Sequence, residues 1–380
     1  MVRPLSIYVH VPFCASRCGY CDFNTYTLTD LGGSVNRESF AEVLSAEVRL
    51  AALSLGDARR PVDTVFFGGG TPTLLSAGAL VGVLGVIGAE FGLLRGAEVT
   101  TEANPDSVDE RKLQALRAGG FTRISFGVQS AASSVLKILD RTHTAGAAAM
   151  AIERARCAGF EHISADLIIG TPGETDADVQ ASVDLVCEAG VDHVSAYTLI
   201  VEPNTPLARQ VSSGRLPAPD DDVAAETYGR VDRLLTERGF AWYEVSNWSK
   251  PGGRCRHNER YWSSDDWWGV GPGAHSHVGG VRWWNVKHPS RYAERLASDS
   301  SPMEDNETLT PEQRRAETLM LGLRTVTGVE ASAVDGLDLL VVQSLIADGM
   351  LDAHRWAEGR LAVTSSGRLF ADATIRRLLD

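Results

Sequence analysis

The chain has 380 residues, 44% of them hydrophobic, enough for one large domain with a smaller one beside it rather than a single small unit. Its 36 basic and 49 acidic residues give a formal charge of −13, which disfavours an electrostatic grip on nucleic acid or on an anionic membrane. No run approaches the roughly 18 apolar residues of a membrane span, and MVRPLSIYVHV enters a strand without a cleavable signal pattern, so a cytoplasmic location is expected, with any membrane contact peripheral.

The first predicted strand is SIYVHV (6–11), and CASRCGYC follows it at once, placing Cys14, Cys18 and Cys21 among only six cysteines. In a reducing compartment such a cluster reads as metal or redox ligands, whereas Cys157, Cys187 and Cys255 lie far apart. Next come the helical pattern RESFAEVLSAEVRLAALSL and the strand DTVFFG (63–68), closed by GGGTPT (68–73). The strand EVTTEA (98–103) carries Glu102 near its end, and DERKLQALRAGG then reads as a helix capped at Gly119 and Gly120. Gln129 follows RISFGV (123–128), and Arg141 sits in LKILDRTH. Asp166 lies within HISADLIIG (162–170), which runs into GTPGET (170–175), and HVSAYTLI (193–200) is the last strand of the series. PAPDDD (217–222) is an acidic surface loop ahead of a helix.

Six short β-rich runs separated by helices make a parallel sheet with right-handed crossovers, better matched to an open, partial (β/α)6 barrel than to a closed eight-unit one. Every motif falls at the carboxyl end of a strand, where such sheets bind ligands. The expected fold is therefore α/β: a barrel over 1–235, a connecting segment over 236–305, and a smaller, mostly helical, winged-helix-like domain over 306–380. The second helix of that domain carries Asp348 and Asp352 rather than a basic stripe, so it reads as a lid or partner-docking unit, not a DNA reader.

Three cysteines with Phe23 where a fourth could stand leave two chemistries open. A zinc site wants a fourth ligand, from His10 or Cys255, or a water in its place. A 4Fe-4S cluster held by three thiolates leaves one iron for an outside ligand, and S-adenosylmethionine (SAM) can fill it with its amino and carboxylate groups.

IYVHVPFCASRCGYCDF, FFGGGTPT, TEANPD, ISFGVQS and ADLIIGTPGET, in this order across about the first 200 residues, resemble the radical-SAM branch that contains oxygen-independent coproporphyrinogen III oxidase and its heme-chaperone relatives. The resemblance implies that Cys14, Cys18 and Cys21 hold the cluster, that Tyr20 contacts adenine and that Tyr8 lies near SAM. It also places Gly69, Gly70, Thr71, Glu102, Gln129, Arg141 and Asp166 in the SAM pocket. Gly68, Gly69 and Gly70 let backbone approach the SAM amino group, and Glu102 suits ribose hydroxyls.

The oxidase branch differs by a fourth cysteine where Phe23 stands here and by a sizeable segment before its cluster, where this sequence has 13 residues. The chaperone branch is favoured by RCRHNERYW (254–262), similar to an H-N-x-x-Y-W heme-binding motif in which His257 is the axial-ligand candidate. Cys255 is the thiolate alternative, with His275 and His277 weaker candidates. Tyr261 and Trp262 offer faces for a porphyrin, and Lys250, Arg254, Arg256 and Arg260 offer charge for its propionates. The expected function is a heme chaperone carrying heme, a 4Fe-4S cluster and SAM, serving a heme-acceptor protein and leaving room for an electron donor. The alternatives are a tetrapyrrole-modifying radical-SAM oxidoreductase and, remotely, a winged-helix regulator on a metal-stabilised barrel.

Overall fold

A computed structural model of the chain describes residues 4–27, 29–31, 35–334 and 336–379. Strand and helix alternate through β1 (Leu5–Val11), α1 (Arg37–Leu55), β2 (Val62–Gly69), α2 (Ala77–Phe91), β3 (Leu93–Ala103), α3 (Glu110–Ala118) and β4 (Arg123–Gln129). They continue through α4 (Ser133–Ile138), α5 (Ala145–Cys157), β5 (His162–Ile169), α6 (Asp176–Ala189) and β6 (His193–Thr198). Side-chain caps fix the helix starts: Thr144 accepts from Ala147 N on α5, and Thr175 forms a capping box with Asp178 on α6.

β1 to β6 pair in chain order and in parallel, as a partial (β/α)6 barrel requires. The strands alternate in register with their two surroundings. Val65, Phe67, Val99, Ile124, Phe126, Ala165 and Leu167 join the buried apolar core shared with α1, α2, α3, α5 and α6. Thr64, Glu98, Thr100, Ser125, Ser164 and Ser195 fall between them and put a polar lining on the other face. The register sets Glu102 beside Ser125, and Asp166 beside Gly127 and Ser195.

After α7 (Pro206–Ser212) and α8 (Asp221–Glu237), residues 236–305 do more than connect. They supply β7 (Ala241–Glu244) and β8 (Asn247–Ser249), antiparallel at the β6 edge, then the seven-residue α9 (Arg256–Trp262) and β9 (Trp267–Val270), parallel to β1 at the opposite edge. β10 (His275–Val278), β11 (Val281–Asn285), α10 (Pro289–Ala297) and β12 (Met303–Thr308) complete a 12-stranded sheet. Short strands without a clean two-residue period, such as NWS in β8, explain why the sequence reads as a connection.

The C-terminal unit has its own core of Leu319, Leu323, Val342, Leu345, Leu361 and Ile375. It comprises α11 (Pro311–Gly322), β13 (Val329–Glu330), α12 (Leu339–Ala347), α13 (Ala353–Ala357), β14 (Arg360–Leu361) and α14 (Ala371–Leu379). Its strand pair is minimal: β14 pairs antiparallel with β13, which precedes α12, and both are two residues long. Among the described residues no helix is long and apolar enough to cross a membrane.

α9 is held across the amino-terminal end of the barrel by a buried ion pair. Arg123 Nε donates to Glu98 Oε2 at 3.2 Å, and the guanidinium also donates to Ser164 Oγ at 3.0 Å and to the carbonyls of Gly253 and Arg254 at 2.9 Å each. Glu98 accepts in turn from the backbone N–H of Arg256 at 3.2 Å and of His257 at 3.0 Å. With side chains only 1% and 4% exposed, neither ion has water to fall back on. Arg123→Met is therefore expected to lower unfolding stability by about 3–5 kcal/mol, the range for stranding one partner of a buried pair. In chemical denaturation the double variant Glu98→Gln with Arg123→Met should cost less than the sum of the single changes.

Candidate functional site

The carboxyl ends of β1 to β6 surround a cavity of about 360 Å³, within the range of cofactor sites. The loop after β1 folds over it because the chain beyond β2 pins its backbone. Gly70 N donates to Val11 O at 2.8 Å and Thr71 N to Phe13 O at 2.7 Å. A Cβ on Gly70 would stand 2.4 Å from Phe13 O and 3.1 Å from Cys14 Sγ, so this close approach admits only glycine. The far side of the loop is tied by Cys14 N to Tyr26 O at 3.0 Å and Leu207 N to Gly19 O at 2.8 Å.

Cys14, Cys18, Tyr20 and Cys21 line one side of the cavity, and Gly69, Gly70, Thr71, Glu102, Gln129, Arg141 and Asp166 line the rest. The structure thus gathers, of the residues assigned to the cluster and the SAM pocket, all but Tyr8 and Gly68. The thiols are free, and burial raises Cys14 to about 11 and pushes Cys21 up, so both stay protonated until a metal displaces the proton. Arg141 supplies a compensating charge: its Nη1 donates to Cys18 Sγ at 3.3 Å, and its Nη2 to Asn104 Oδ1 and Gly127 O at 2.7 Å each. It is no exposed helix-end cation.

Among the described residues no three His, Cys, Asp or Glu side chains gather around one metal-ion position. Nor does a fourth ligand come from His10, bonded to Tyr8 OH at 3.0 Å and Asn24 O at 2.9 Å. Cys255 lies at the opposite end of the barrel, 3.6 Å from Glu98 Oε1.

On the opposite wall Glu102 Oε2 accepts from Gly69 N at 3.1 Å, and Asp166 accepts from Ser125 Oγ at 3.2 Å through each oxygen. Burial, reinforced by Asp166, lifts Glu102 to about 8, and burial lifts Asp166 to about 6. Gln129 closes β4 with φ 64, a left-handed backbone that costs energy for a residue with a side chain. Asn104, Ile168 and Tyr197 also line the cavity. Asn104, whose Nδ2 donates to Thr71 Oγ1 at 3.1 Å, was within reach through TEANPD, whereas nothing in HVSAYTLI marks Tyr197.

Tyr8 and the residues of the expected heme motif lie outside the cavity. Tyr8 stands behind the wall, its ring 6.3 Å from that of Phe66. His257, the expected heme ligand, is 1% exposed, with Nδ1 2.8 Å from Thr64 Oγ1 and Nε2 2.8 Å from Tyr261 OH. Thr64 donates onward to Ser6, so the imidazole carries its proton on Nδ1 and accepts at Nε2 from Tyr261. Burial, then Arg260, lowers it to about 3 and keeps it neutral. The expected porphyrin-facing groups are likewise spoken for: Trp262 and Asn258 bond to Glu244, Arg256 and Arg260 pair with Asp63, and Arg254 pairs with Glu259. His275 and His277 lie in β10, where His277 Nδ1 is 3.2 Å from Asp265 O.

The description "Radical SAM superfamily" matches residues 8–186. The chain is 50% identical over 377 residues to "Heme chaperone HemW" of Mycobacterium tuberculosis, covering 99% of this chain and 95% of that one. It is 34% identical to "Heme chaperone HemW" of Bacillus subtilis, covering 97% of each. It is also 34% identical to the mitochondrial "Radical S-adenosyl methionine domain-containing protein 1" of Bos taurus, covering 93% of this chain and 75% of that one. Among solved structures, coproporphyrinogen III oxidase (HemN) of Escherichia coli superposes with a TM-score of 0.84 at 23% identity, covering 99% of this chain and 90% of that one, a likeness of fold.

The raised carboxylates set a pH dependence. A folded-state value above the unfolded 4.5 means that the native protein keeps the Glu102 proton while the unfolded chain sheds it. The stability this gives is complete below about pH 4.5 and is lost as pH rises towards 8. The melting temperature of the cluster-free protein should therefore fall between pH 6 and 8, and Glu102→Gln should flatten that fall. An unchanged slope in the variant would contradict the assignment.

Proposed function

The chain belongs to the HemW family of radical SAM proteins, and we propose that it is a heme chaperone, which binds heme, holds a 4Fe-4S cluster with SAM, and passes heme to an acceptor protein. The observation that carries the cofactor half is the cavity itself, with three free cysteines on one wall and Glu102, Asp166 and a glycine-backed strand end on the other. When bound, the cluster supplies a vacant iron and one-electron chemistry. Cys14, Cys18 and Cys21 would hold it, Arg141 would offset its charge, and Gly69, Glu102, Gln129 and Asp166 would present acceptors and backbone to SAM.

The heme half rests on the family. As arranged here His257 does not fit an axial ligand, because the Nε2 lone pair that an iron needs is taken by Tyr261 and the ring is enclosed. Ligation by His257 would require α9 to release that bond. Against the oxidase reading, the family resemblance puts Phe23 where that branch carries a fourth cysteine, and here it stands 60% exposed at the cavity wall.

Anaerobically reconstituted protein should bind heme with a Soret band and form no protoporphyrinogen from coproporphyrinogen III when SAM and reductant are supplied. Cys14→Ala, Cys18→Ala and Cys21→Ala should each lose cluster iron while Cys14→Ala keeps its heme. Product at turnover rates, or full iron in all three variants, would overturn the proposal.

A further inference from the structure

Strand β2 runs the length of the barrel interior, and its inward side chains Thr64 and Phe66 lead up to Gly68 at the cavity. Each level is occupied. At the lowest, Thr64 Oγ1 is bonded to His257 Nδ1 at 2.8 Å. One step up, the Phe66 ring lies stacked on the His257 ring, 5.2 Å between centroids at 26°, with the Tyr8 ring beyond it at 6.3 Å, also at 26°. At the top, a Cβ on Gly68 would stand 2.9 Å from Phe66 Cε1, 3.1 Å from Glu102 Oε2 and 3.1 Å from Tyr8 Cε2. The strand end that offers Gly69 and Gly70 to the cavity therefore has room only for glycine at position 68, beside Phe66, and the Phe66 ring stacks on His257.

Tyr261 locks this stack from the side. Its hydroxyl donates to His257 Nε2 at 2.8 Å, and its ring meets His257 edge-on at 4.9 Å and Trp267 of β9 at the same distance. With both nitrogens bonded, the imidazole has one orientation, and close-packed interiors pass such constraints to their neighbours.

We propose that His257 and Tyr261 are positioning residues for the SAM cavity: held between Thr64 and Tyr261, the imidazole sets the height of Phe66 and so the place of Gly68, Gly69 and Glu102. The assignment rests on the reading of that cavity as the SAM site, and it gives the H-N-x-x-Y-W segment a role in heme-free protein. Anything that draws His257 away from Tyr261 withdraws support from the cavity floor, and by linkage SAM in the cavity favours the docked imidazole.

The test uses full-length, cluster-reconstituted, heme-free protein, with SAM titrated against the electron paramagnetic resonance spectrum of the reduced cluster. Tyr261→Phe keeps the ring and removes only the bond to Nε2; with iron content unchanged, it should weaken SAM binding about 5-fold or more, within the usual range of coupling between sites. His257→Ala should weaken it further and leave the SAM-bound spectrum altered at saturation. Asp63→Asn loosens α9 from its outer side, through Arg256 and Arg260, and should leave both affinity and spectrum as in the wild type. Wild-type affinity and spectrum in Tyr261→Phe and His257→Ala would overturn the inference, as would an equal loss in Asp63→Asn. A wild-type spectrum indifferent to SAM would overturn the reading of the cavity, and the inference would fall with it.

Discussion

The Glu98 carboxylate is shut inside the barrel, and the rest of the molecule is arranged around satisfying it. One strand away Arg123 neutralises it, while the same guanidinium draws the Gly253 and Arg254 carbonyls beneath the sheet. Those carbonyls bring α9 to the place where its first amides meet Glu98. A charged pair so dry is weak evidence of net stability, since apolar residues of equal volume would serve as well or better. What it does supply is register. It fixes one short helix across one end of the barrel, opposite the cavity at the carboxyl ends of the strands.

At that cavity the geometry is set by close approach rather than by charge. The loop bearing Cys14, Cys18 and Cys21 is closed on itself by the Phe13–Tyr26 bridge and placed by the Gly70–Phe13 and Leu207–Gly19 contacts on either side. Arg141, Asn104 and Thr71 then form a bonded arc from the thiol wall to the β2 end. Loss of any one would leave a buried donor or acceptor unpaired.

The six parallel strands were legible because β-branched runs and glycine or proline stops recur at βαβ spacing. The cavity was legible for the same reason: motifs at strand ends must meet on one rim. What stayed hidden was set by tertiary contacts. β13 and β14 are too short to show a period, and Tyr197 faces the cavity from a strand whose sequence is ordinary. RCRHNERYW is arranged in the fold in a way its sequence does not show. Its histidine, aromatics and arginines read as a ligand surface, yet each finds its partner within the fold, because a polar, aromatic helix is what can plug the polar end of a barrel. Glu98, the residue that dictates this, sits unremarked in AEVTTEA.

The central claim is that three thiolates at the open rim leave one iron of a cluster exposed to SAM. Mössbauer spectra of protein reconstituted with the Mössbauer-active iron isotope, recorded with and without SAM, bear on it most directly. One iron of the four should separate from the others when SAM is added, in proportion to SAM bound. Four irons that stay indistinguishable at saturating SAM, or a signal from isolated iron in place of a cluster, would contradict it.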